Sequence, residues 1–245
     1  MRITVLGNSG PYPRAGGACS GYLFENENTK ILIDCGNGTL GRLQQIIKSL
    51  EDLDMIIISH LHSDHIADAM VLRYAIGINK TKGIITKVIP LYAPAEPKED
   101  FDKLQFQNAF LMNEIYEDLI IPLNGLTIHF KRMEHPVPSY GIAIEKDGKK
   151  FVYSADTKYC DQIFQLAQDA DLLLCESGVL ERDRIIDMVH LSAKEAAEIG
   201  KISKVKRLML THFWPGYSLD EILQEAKENF DGDLILSEEM KTYEI

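Results

Sequence analysis

The decapeptide "SHLHSDHIAD" (residues 59–68) contains three of the seven histidines of the chain, together with two aspartates. It follows the apolar run "MIII" (55–58), which predicts a short buried strand over residues 54–59. Imidazole and carboxylate groups without thiolates are typical of a Zn²⁺ site, and Mn²⁺ or Fe²⁺ also suits them. A solvated, histidine-rich loop is the alternative. The metal interpretation is favoured. So many titratable side chains directly after a buried strand would lower the stability of the fold unless a bound ion compensated for their burial.

The spacing within the decapeptide divides it into two pairs of ligands. In an extended segment residues i and i+2 point to the same side, so His60 and His62 can bind one ion together. A helix predicted over residues 64–77 then places Asp64 and His65 in its first turn. These two side chains can reach a second ion nearby.

Two ions need more ligands than this stretch supplies. His135, Asp156 and His212 each follow a predicted strand, and side chains at strand ends are held rigidly where loops converge at one edge of a sheet. We therefore expect these three residues to complete a dinuclear site, with Asp156 able to bridge the ions. His129 lies in the middle of a predicted strand and is expected to be packed or exposed instead.

The length of 245 residues suits one large domain or two small ones, and 45% hydrophobic and 26% charged residues are typical of a soluble globular protein. The 26 basic and 37 acidic residues give a formal net charge of −11, which disfavours a large nucleic-acid footprint because phosphates would approach a negative field. No stretch resembles a signal peptide or a transmembrane helix, so a cytoplasmic location without membrane contact is expected. The four cysteines are widely spaced and predict neither a disulfide framework nor a thiolate zinc site: Cys19, Cys35, Cys160 and Cys175.

Hydrophobic periodicity predicts an α/β domain. Hairpins are expected over residues 21–36 and 140–156, and a helix over 39–50. Residues 80–121 are expected to contain one strand and one or two helices. After the second hairpin, helices and strands alternate to the end of the chain. This repetition predicts central sheet with helices outside, in two similar halves.

With these residues in place, the sequence resembles the metallo-β-lactamase superfamily, whose fold is a four-layer αββα sandwich. The resemblance implies a single hydrolase domain over residues 1–245. In "LIDCGNGT" (32–39), the resemblance gives Asp34 the role of supporting the metal-binding loop. Two further motifs resemble those of the superfamily: "HPVPSYGIAI" (135–144) and "YSADT" (153–157). Two others point to its RNase Z-like phosphodiesterase branch: "HLSAKEAAEIG" (190–200) and "LTHF" (210–213).

Membership of that branch would imply two Zn²⁺ ions and defined roles. The first ion would take His60, His62, His135 and Asp156, and the second Asp64, His65, Asp156 and His212. The resemblance makes Asp64 and His190 the catalytic residues. Asp64 would orient the attacking hydroxide or take up its proton, and His190 would stabilise the phosphorus centre or protonate the leaving oxygen.

Two departures from the branch bear on the substrate. The RNA-processing members carry a long arm between the third-histidine motif and the bridging aspartate, whereas here that interval is 156 − 135 = 21 residues. The chain also reads "THFWPGY" (211–217), without the arginine usual after this motif. The remaining resemblance is to short phosphodiesterases of the anti-Pycsar type, which act on 3′,5′-cyclic nucleotides and are usually homodimers. Trp214 and Tyr217 would then either stack on a base or pack a loop or a dimer interface.

The sequence thus favours a phosphodiesterase that converts 3′,5′-cyclic nucleotides such as cAMP, cGMP, cCMP and cUMP to nucleoside 5′-monophosphates by metal-bound hydroxide attack. The alternatives are a tRNA 3′-end processing endonuclease and a metal-stabilised binding protein without turnover. Hydrolysis at carbon, in a lactam, lactone or thioester, fits the same ligands. The base preference and the metal used in the cell stay open.

Overall fold

The computed structural model describes all 245 residues and consists of two compact units. The first unit comprises Met1–Ile115 with Glu238–Glu244, and the second comprises Tyr116–Ser237 with Ile245. Each contains one seven-stranded sheet. No helix has both the length and the apolar character needed to cross a membrane.

The sheet of the first unit has the strand order β14-β1-β2-β3-β4-β5-β6. The strands β14, β1, β2 and β3 pair antiparallel, and β3 to β6 pair parallel. The strands are β1 (Arg2–Gly7), β2 (Gly21–Asn26), β3 (Thr29–Ile33), β4 (Met55–Ile57), β5 (Ile89–Pro94), β6 (Phe110–Ile115) and β14 (Thr242–Glu244). The helices are α1 (Thr39–Ile46), α2 (Ser63–Ile66), α3 (Ala69–Thr81) and α4 (Lys98–Lys103), with a 3₁₀ turn at Leu50–Asp52.

The sheet of the second unit has the order β13-β12-β11-β10-β9-β8-β7. Here β7 to β10 pair antiparallel and β10 to β13 pair parallel. The strands are β7 (Ile120–Leu123), β8 (Leu126–Met133), β9 (Ser139–Lys146), β10 (Lys149–Tyr153), β11 (Leu172–Glu176), β12 (Arg207–Thr211) and β13 (Asp233–Leu236). The helices are α5 (Asp161–Ala167), α6 (Ala193–Ile202) and α7 (Leu219–Lys227), with a 3₁₀ turn at Glu181–Asp183.

The two units repeat one topology, as the sequence pattern predicted. In each, an antiparallel hairpin leads into a run of four parallel strands. The repetition extends to a side chain, because Asp54 and Asp171 each precede the strand that follows the hairpin. Their carboxylates accept hydrogen bonds from the backbone N–H groups of Lys30 and Lys150, each at 2.9 Å. Each aspartate thereby holds the incoming strand beside its neighbour.

The core of each unit is formed by apolar strands and the helices that cover them. Every residue of β2 and of β11 is buried, as expected for central strands. The start of α6 is fixed by a capping box, in which Ser192 accepts from the N–H of Glu195 and the Glu195 carboxylate accepts from the N–H of Ser192. This cap fixes the chain directly after His190.

The helix predicted over residues 64–77 is wrong in both continuity and length. The chain forms two helices, α2 and α3, and α3 continues beyond Gly77 to Thr81. Gly77 therefore lies inside α3 and does not end it. A Cβ at this position would lie 2.9 Å from the ring of Phe106, so the glycine allows the helix to pack closely against that ring.

The side chain of Asp68, the last residue of the decapeptide, is a cap for a different helix. Its carboxylate accepts a hydrogen bond at 2.8 Å from the N–H of Leu40, in the first turn of α1. The decapeptide is thereby joined to the preceding helix.

Two further expectations differ from the structure. The helix α1 ends at Ile46 and not at residue 50, since Ile47 is extended. Residues 80–121 contain one complete helix, but two complete strands, β5 and β6, and the first half of a third, β7. The strand β7 escaped prediction because it contains Pro122, which only an edge strand tolerates.

We predict that Gly36→Ala destabilises the first unit. A Cβ at Gly36 would collide with the backbone carbonyl oxygen of Asp64, and backbone cannot move aside as a flexible side chain can. The expected loss is about 1–3 kcal/mol in the free energy of unfolding, measured by urea denaturation.

The matched control is Gly41→Ala. This glycine lies in α1, is exposed and has open space around it, so alanine should raise stability by about 0.5–1 kcal/mol. Equal stability of the two variants would contradict the close approach of Gly36 to Asp64.

Candidate metal centre

A buried carboxylate organises the candidate ligands of the first unit. Asp34 directly follows β3 and is completely buried. It accepts hydrogen bonds from the N–H of Ser59 at 2.7 Å, from the Ser59 hydroxyl at 2.8 Å and from Nδ1 of His65 at 2.7 Å. Asp34 therefore supports the decapeptide, as the family resemblance implies, by hydrogen bonds to Ser59 and His65.

The Ser59 hydroxyl also fixes the orientation of His60. It has one proton, which it donates to Asp34, so it can only accept from Nδ1 of His60 at 3.1 Å. Since Nδ1 of His60 and of His65 both donate, each ring presents the lone pair of Nε2 as its ligand atom. A carboxylate or hydroxyl partner of this kind orients a metal-binding imidazole and increases its basicity.

The decapeptide brings its candidate ligands close to one another. The ligand atoms of His60 and His62 lie within 4.8 Å of each other. The chain then enters the single turn of α2, where Asp64 and His65 are both buried and Nε2 of His65 lies 3.5 Å from the Asp64 carboxylate.

Unusual backbone conformations occur where strands deliver site residues. Asp34 after β3, Ala155 after β10 and His212 after β12 have φ values of 55°, 54° and 58°. Residues with a Cβ rarely adopt this left-handed region, and such strain concentrates at functional sites. In each case the chain turns sharply at the end of the strand.

The second unit brings together the remaining predicted ligands. Asp156 and His212 are buried, and Nε2 of His212 lies 3.3 Å from the Asp156 carboxylate. A ligand atom of His135 lies within 4.8 Å of Asp156. Nδ1 of His135 faces the carbonyl of Val189 at 3.3 Å, which again directs Nε2 toward the candidate site.

His190 lies in the same group and has a carboxylate partner of its own. Its Nδ1 is 3.2 Å from both carboxylate oxygens of Glu176, and its ring stacks on that of His212 with a centroid separation of 5.1 Å. Glu176 is completely buried at the end of β11 and also accepts from the N–H of Thr157 at 2.7 Å. The carboxylate thus orients His190 and anchors the loop that carries Asp156.

Sequence reasoning missed Glu176, although it identified the strand that ends there. A signal was present, because Glu176 is a carboxylate at the end of an apolar strand, as the other site residues are. Glu176, His190 and His212 could also hold an ion as a set of three. We favour the orienting role, since Glu176 is already engaged with Thr157 and His190.

The aromatic residues after His212 differ in their environments. Tyr217 is 8% exposed, and its hydroxyl donates to Asp183 at 2.9 Å. Burial, together with that hydrogen bond, raises the pKa of Tyr217. Tyr217 therefore packs within a loop, which is one of the alternatives that the sequence left open. Trp214 is 40% exposed and meets Tyr217 edge-on at 4.8 Å, so its ring keeps a solvent-facing side.

The donor set in each unit fits a divalent metal ion. Hydrogen bonds hold Nδ1 of His60, His65 and His135. The carboxylates of Asp64 and Asp156 lie beside histidine rings of their own unit, and no cysteine takes part. All four cysteines are free and buried, and burial raises the pKa of both Cys19 and Cys35 to about 12. Neutral thiols of this kind are poor ligands, whereas imidazole and carboxylate suit Zn²⁺, Mn²⁺ or Fe²⁺.

Comparison with known proteins gives relatives over the whole chain. A probable metallo-hydrolase, YhfI of Bacillus subtilis, is 32% identical over 235 residues, which is 96% of this chain and 96% of that protein. A ribonuclease Z of Salinispora arenicola is 25% identical over 299 aligned positions, covering 98% of this chain and 94% of its own length.

The fold comparison agrees with these relatives. The crystal structure of YhfI, described as a metallo-beta-lactamase fold protein, matches with a TM-score of 0.92 and 30% identity, covering 99% of this chain and 98% of that one. The family model for the Beta-lactamase superfamily domain matches residues 29–213. The two mixed sheets flanked by helices confirm the predicted fold class. The chain therefore belongs to the metallo-β-lactamase superfamily, with a probable metallo-hydrolase and a ribonuclease Z among its relatives.

Proposed function

We propose that this protein is a dinuclear-metal phosphodiesterase that hydrolyses small phosphodiesters, foremost 3′,5′-cyclic nucleotides, to nucleoside 5′-monophosphates. The observation that carries the proposal is the fixed orientation of three candidate ligand histidines, His60, His65 and His135, each of which has its Nδ1 held by a hydrogen bond within the fold. The two proposed ligand sets are those that the family resemblance implies: His60, His62, His135 and Asp156 for one ion, and Asp64, His65, Asp156 and His212 for the other. Two Zn²⁺ ions suit them, and Mn²⁺ or Fe²⁺ is also compatible.

The chemistry divides between the ions and the side chains. When bound, the two ions would supply positive charge that acidifies water and offsets the charge of the phosphate oxygens. Asp64 would accept the proton of the attacking water. His190, with Nδ1 held by Glu176, would donate a proton from Nε2 to the leaving oxygen, and the Glu176 carboxylate would stabilise the imidazolium form.

A small substrate is supported by the segment between His135 and Asp156. The hairpin of β9 and β10 occupies most of these residues, so no extended RNA-gripping arm is present there. The formal charge of −11 also opposes the approach of a polyanion. A second candidate function, tRNA 3′-end processing, is favoured by the ribonuclease Z relative, which aligns over 98% of the chain.

A cytoplasmic location and a homodimeric state complete the proposal. Four free, buried cysteines support a reducing compartment. The homodimer rests on the family resemblance, and analytical ultracentrifugation of the purified protein tests it.

We predict that the zinc-loaded protein hydrolyses at least one of cAMP, cGMP, cCMP and cUMP to the 5′-monophosphate. Chromatography of the products would identify the phosphate ester bond that is cleaved. Chelation should abolish turnover, and added Zn²⁺ or Mn²⁺ should restore it, because the ions supply the electrophilic charge.

The same panel includes the competing substrates. Specific removal of a pre-tRNA trailer without turnover of cyclic nucleotides would favour the second candidate, and turnover of only a lactone or thioester would favour hydrolysis at carbon. A protein with full metal content that turns over none of them would be a binding protein.

We predict that Asp64→Asn and His190→Ala each reduce kcat by about 10²–10⁴-fold, the usual range for loss of proton transfer. Glu176→Gln should reduce kcat by about 10–100-fold while the metal content is retained, because it acts through His190. The measurements are steady-state kinetics and metal analysis of each variant.

The control is His129→Ala. This histidine lies within β8 and outside both proposed ligand sets, so kcat and metal content should match the unmodified protein. If Asp64→Asn and His190→Ala behaved like this control, the proposed catalytic roles would be wrong.

We predict that Ser59→Ala weakens metal binding by about 10–100-fold. The substitution removes the acceptor of the His60 Nδ1–H and one donor to Asp34, and so loosens two ligand histidines. Titration of the metal-free protein with Zn²⁺ measures the effect. Ser63→Ala, at an exposed position in the same segment, should leave the affinity unchanged.

A further inference from the structure

A pocket of about 370 Å³ opens beside the candidate ligand His135 in the second unit. It lies at the end of β8, where the strand passes into the loop that carries this histidine. Its lining is formed by Arg132, Met133, Glu134, His135, Pro136 and Lys158. Basic side chains thus share a pocket with a residue proposed to bind a metal ion.

The backbone around the pocket is fixed. Arg132 is the penultimate residue of β8 and pairs with Tyr140 of β9. On the other side, the N–H of Lys158 donates to the carbonyl of Glu134 at 2.8 Å. The two basic side chains are therefore presented by two segments that are hydrogen-bonded to each other.

The charges of Arg132 and Lys158 are not neutralised within the protein. Neither side chain forms an ion pair or a hydrogen bond, although the Glu134 carboxylate lines the same pocket. Their neighbours behave differently: Lys131 pairs with Glu117 at 3.0 Å, and Lys150 lies 3.9 Å from the carboxylate of Glu145. In a chain with 37 acidic residues, two unpaired cations in one pocket are available to an external anion.

We propose that this pocket is an anion-binding subsite, in which Arg132 and Lys158 hold the negatively charged phosphate ester that the enzyme hydrolyses. The inference rests on the proposed phosphodiesterase function and narrows its substrate class. Guanidinium and ammonium groups form charge-assisted hydrogen bonds with phosphate oxygens. A neutral lactone, lactam or thioester would gain little from them, so the pocket favours anionic esters.

The role assigned to the two cations is substrate binding, not proton transfer. Arg132 remains protonated at any working pH. Both side chains attract the diester before and during the reaction to a similar extent, and such uniform binding lowers KM without raising kcat. An effect on KM alone would therefore distinguish Arg132 and Lys158 from Asp64 and His190, whose loss should lower kcat.

The test uses the metal-loaded, full-length protein with the substitutions Arg132→Gln and Lys158→Gln. On the cyclic nucleotide that it hydrolyses best, each should raise KM by roughly five- to tenfold and change kcat less than about twofold. The KM of the double variant should also depend less on salt concentration. Arg132→Lys should recover part of the affinity. Lys201→Gln, which removes an exposed charge outside the pocket, should leave KM unchanged.

A direct binding measurement separates this inference from the proposed function. Calorimetry with inorganic phosphate and with a nucleoside 5′-monophosphate should show weaker binding to the double variant than to the unmodified protein. If no phosphodiester is hydrolysed but this difference is found, the phosphodiesterase proposal fails and the anion subsite stands. Unchanged KM and unchanged phosphate affinity in the variants would overturn the subsite, as would a fall in kcat as large as the rise in KM. Absence of phosphate binding to the unmodified protein would overturn it as well.

Discussion

The constraint on which the first half of the site depends is the burial of Asp34. A buried carboxylate is costly unless hydrogen bonds compensate for lost water. Here three hydrogen bonds come from residues 59–68, two from Ser59 and one from His65. The strands β3 and β4 set this geometry, because Ile33 lies opposite Ile57 in their parallel register and Asp34 and Ser59 follow shortly after. The sheet register therefore determines how the candidate ligand histidines His60 and His65 are oriented.

The second half of the site uses the same physical arrangement with a different residue. Glu176 is buried at the end of β11 and accepts from the N–H of Thr157, which follows the neighbouring parallel strand β10. The same carboxylate faces Nδ1 of His190. Each sheet thus places one buried carboxylate between adjacent parallel strands, and each carboxylate joins a strand-end loop to a histidine. The repeated topology explains how a similar site support could arise in both units.

Much of this could be predicted from the sequence, because strand ends and short spacings are visible in it. The i, i+2 spacing of His60 and His62 needs only an extended backbone, and the hairpin periodicity predicted the repeated topology. The partnership of Glu176 with His190 could not be predicted, since it joins a strand end to a loop 14 positions later and depends on tertiary structure. The break between α2 and α3 could not be predicted either, because the apolar periodicity continues across it. The break depends on tertiary structure, since the N–H groups of Asp68 and Ala69 donate to the backbone carbonyl of Cys35.

Formal charge connects the site with the choice of substrate. Each unit contributes two buried carboxylates, Asp34 and Asp64 in one and Asp156 and Glu176 in the other. Under the proposed function, two divalent ions would balance the four negative charges of these carboxylates, so the loaded groups would be formally neutral within a chain of net charge −11. Such a site would stabilise charge that develops during the reaction but would provide no net long-range attraction for an anionic ester. Attraction must then come from basic side chains outside the ligand sets, and this is the position that the unpaired cations beside His135 occupy.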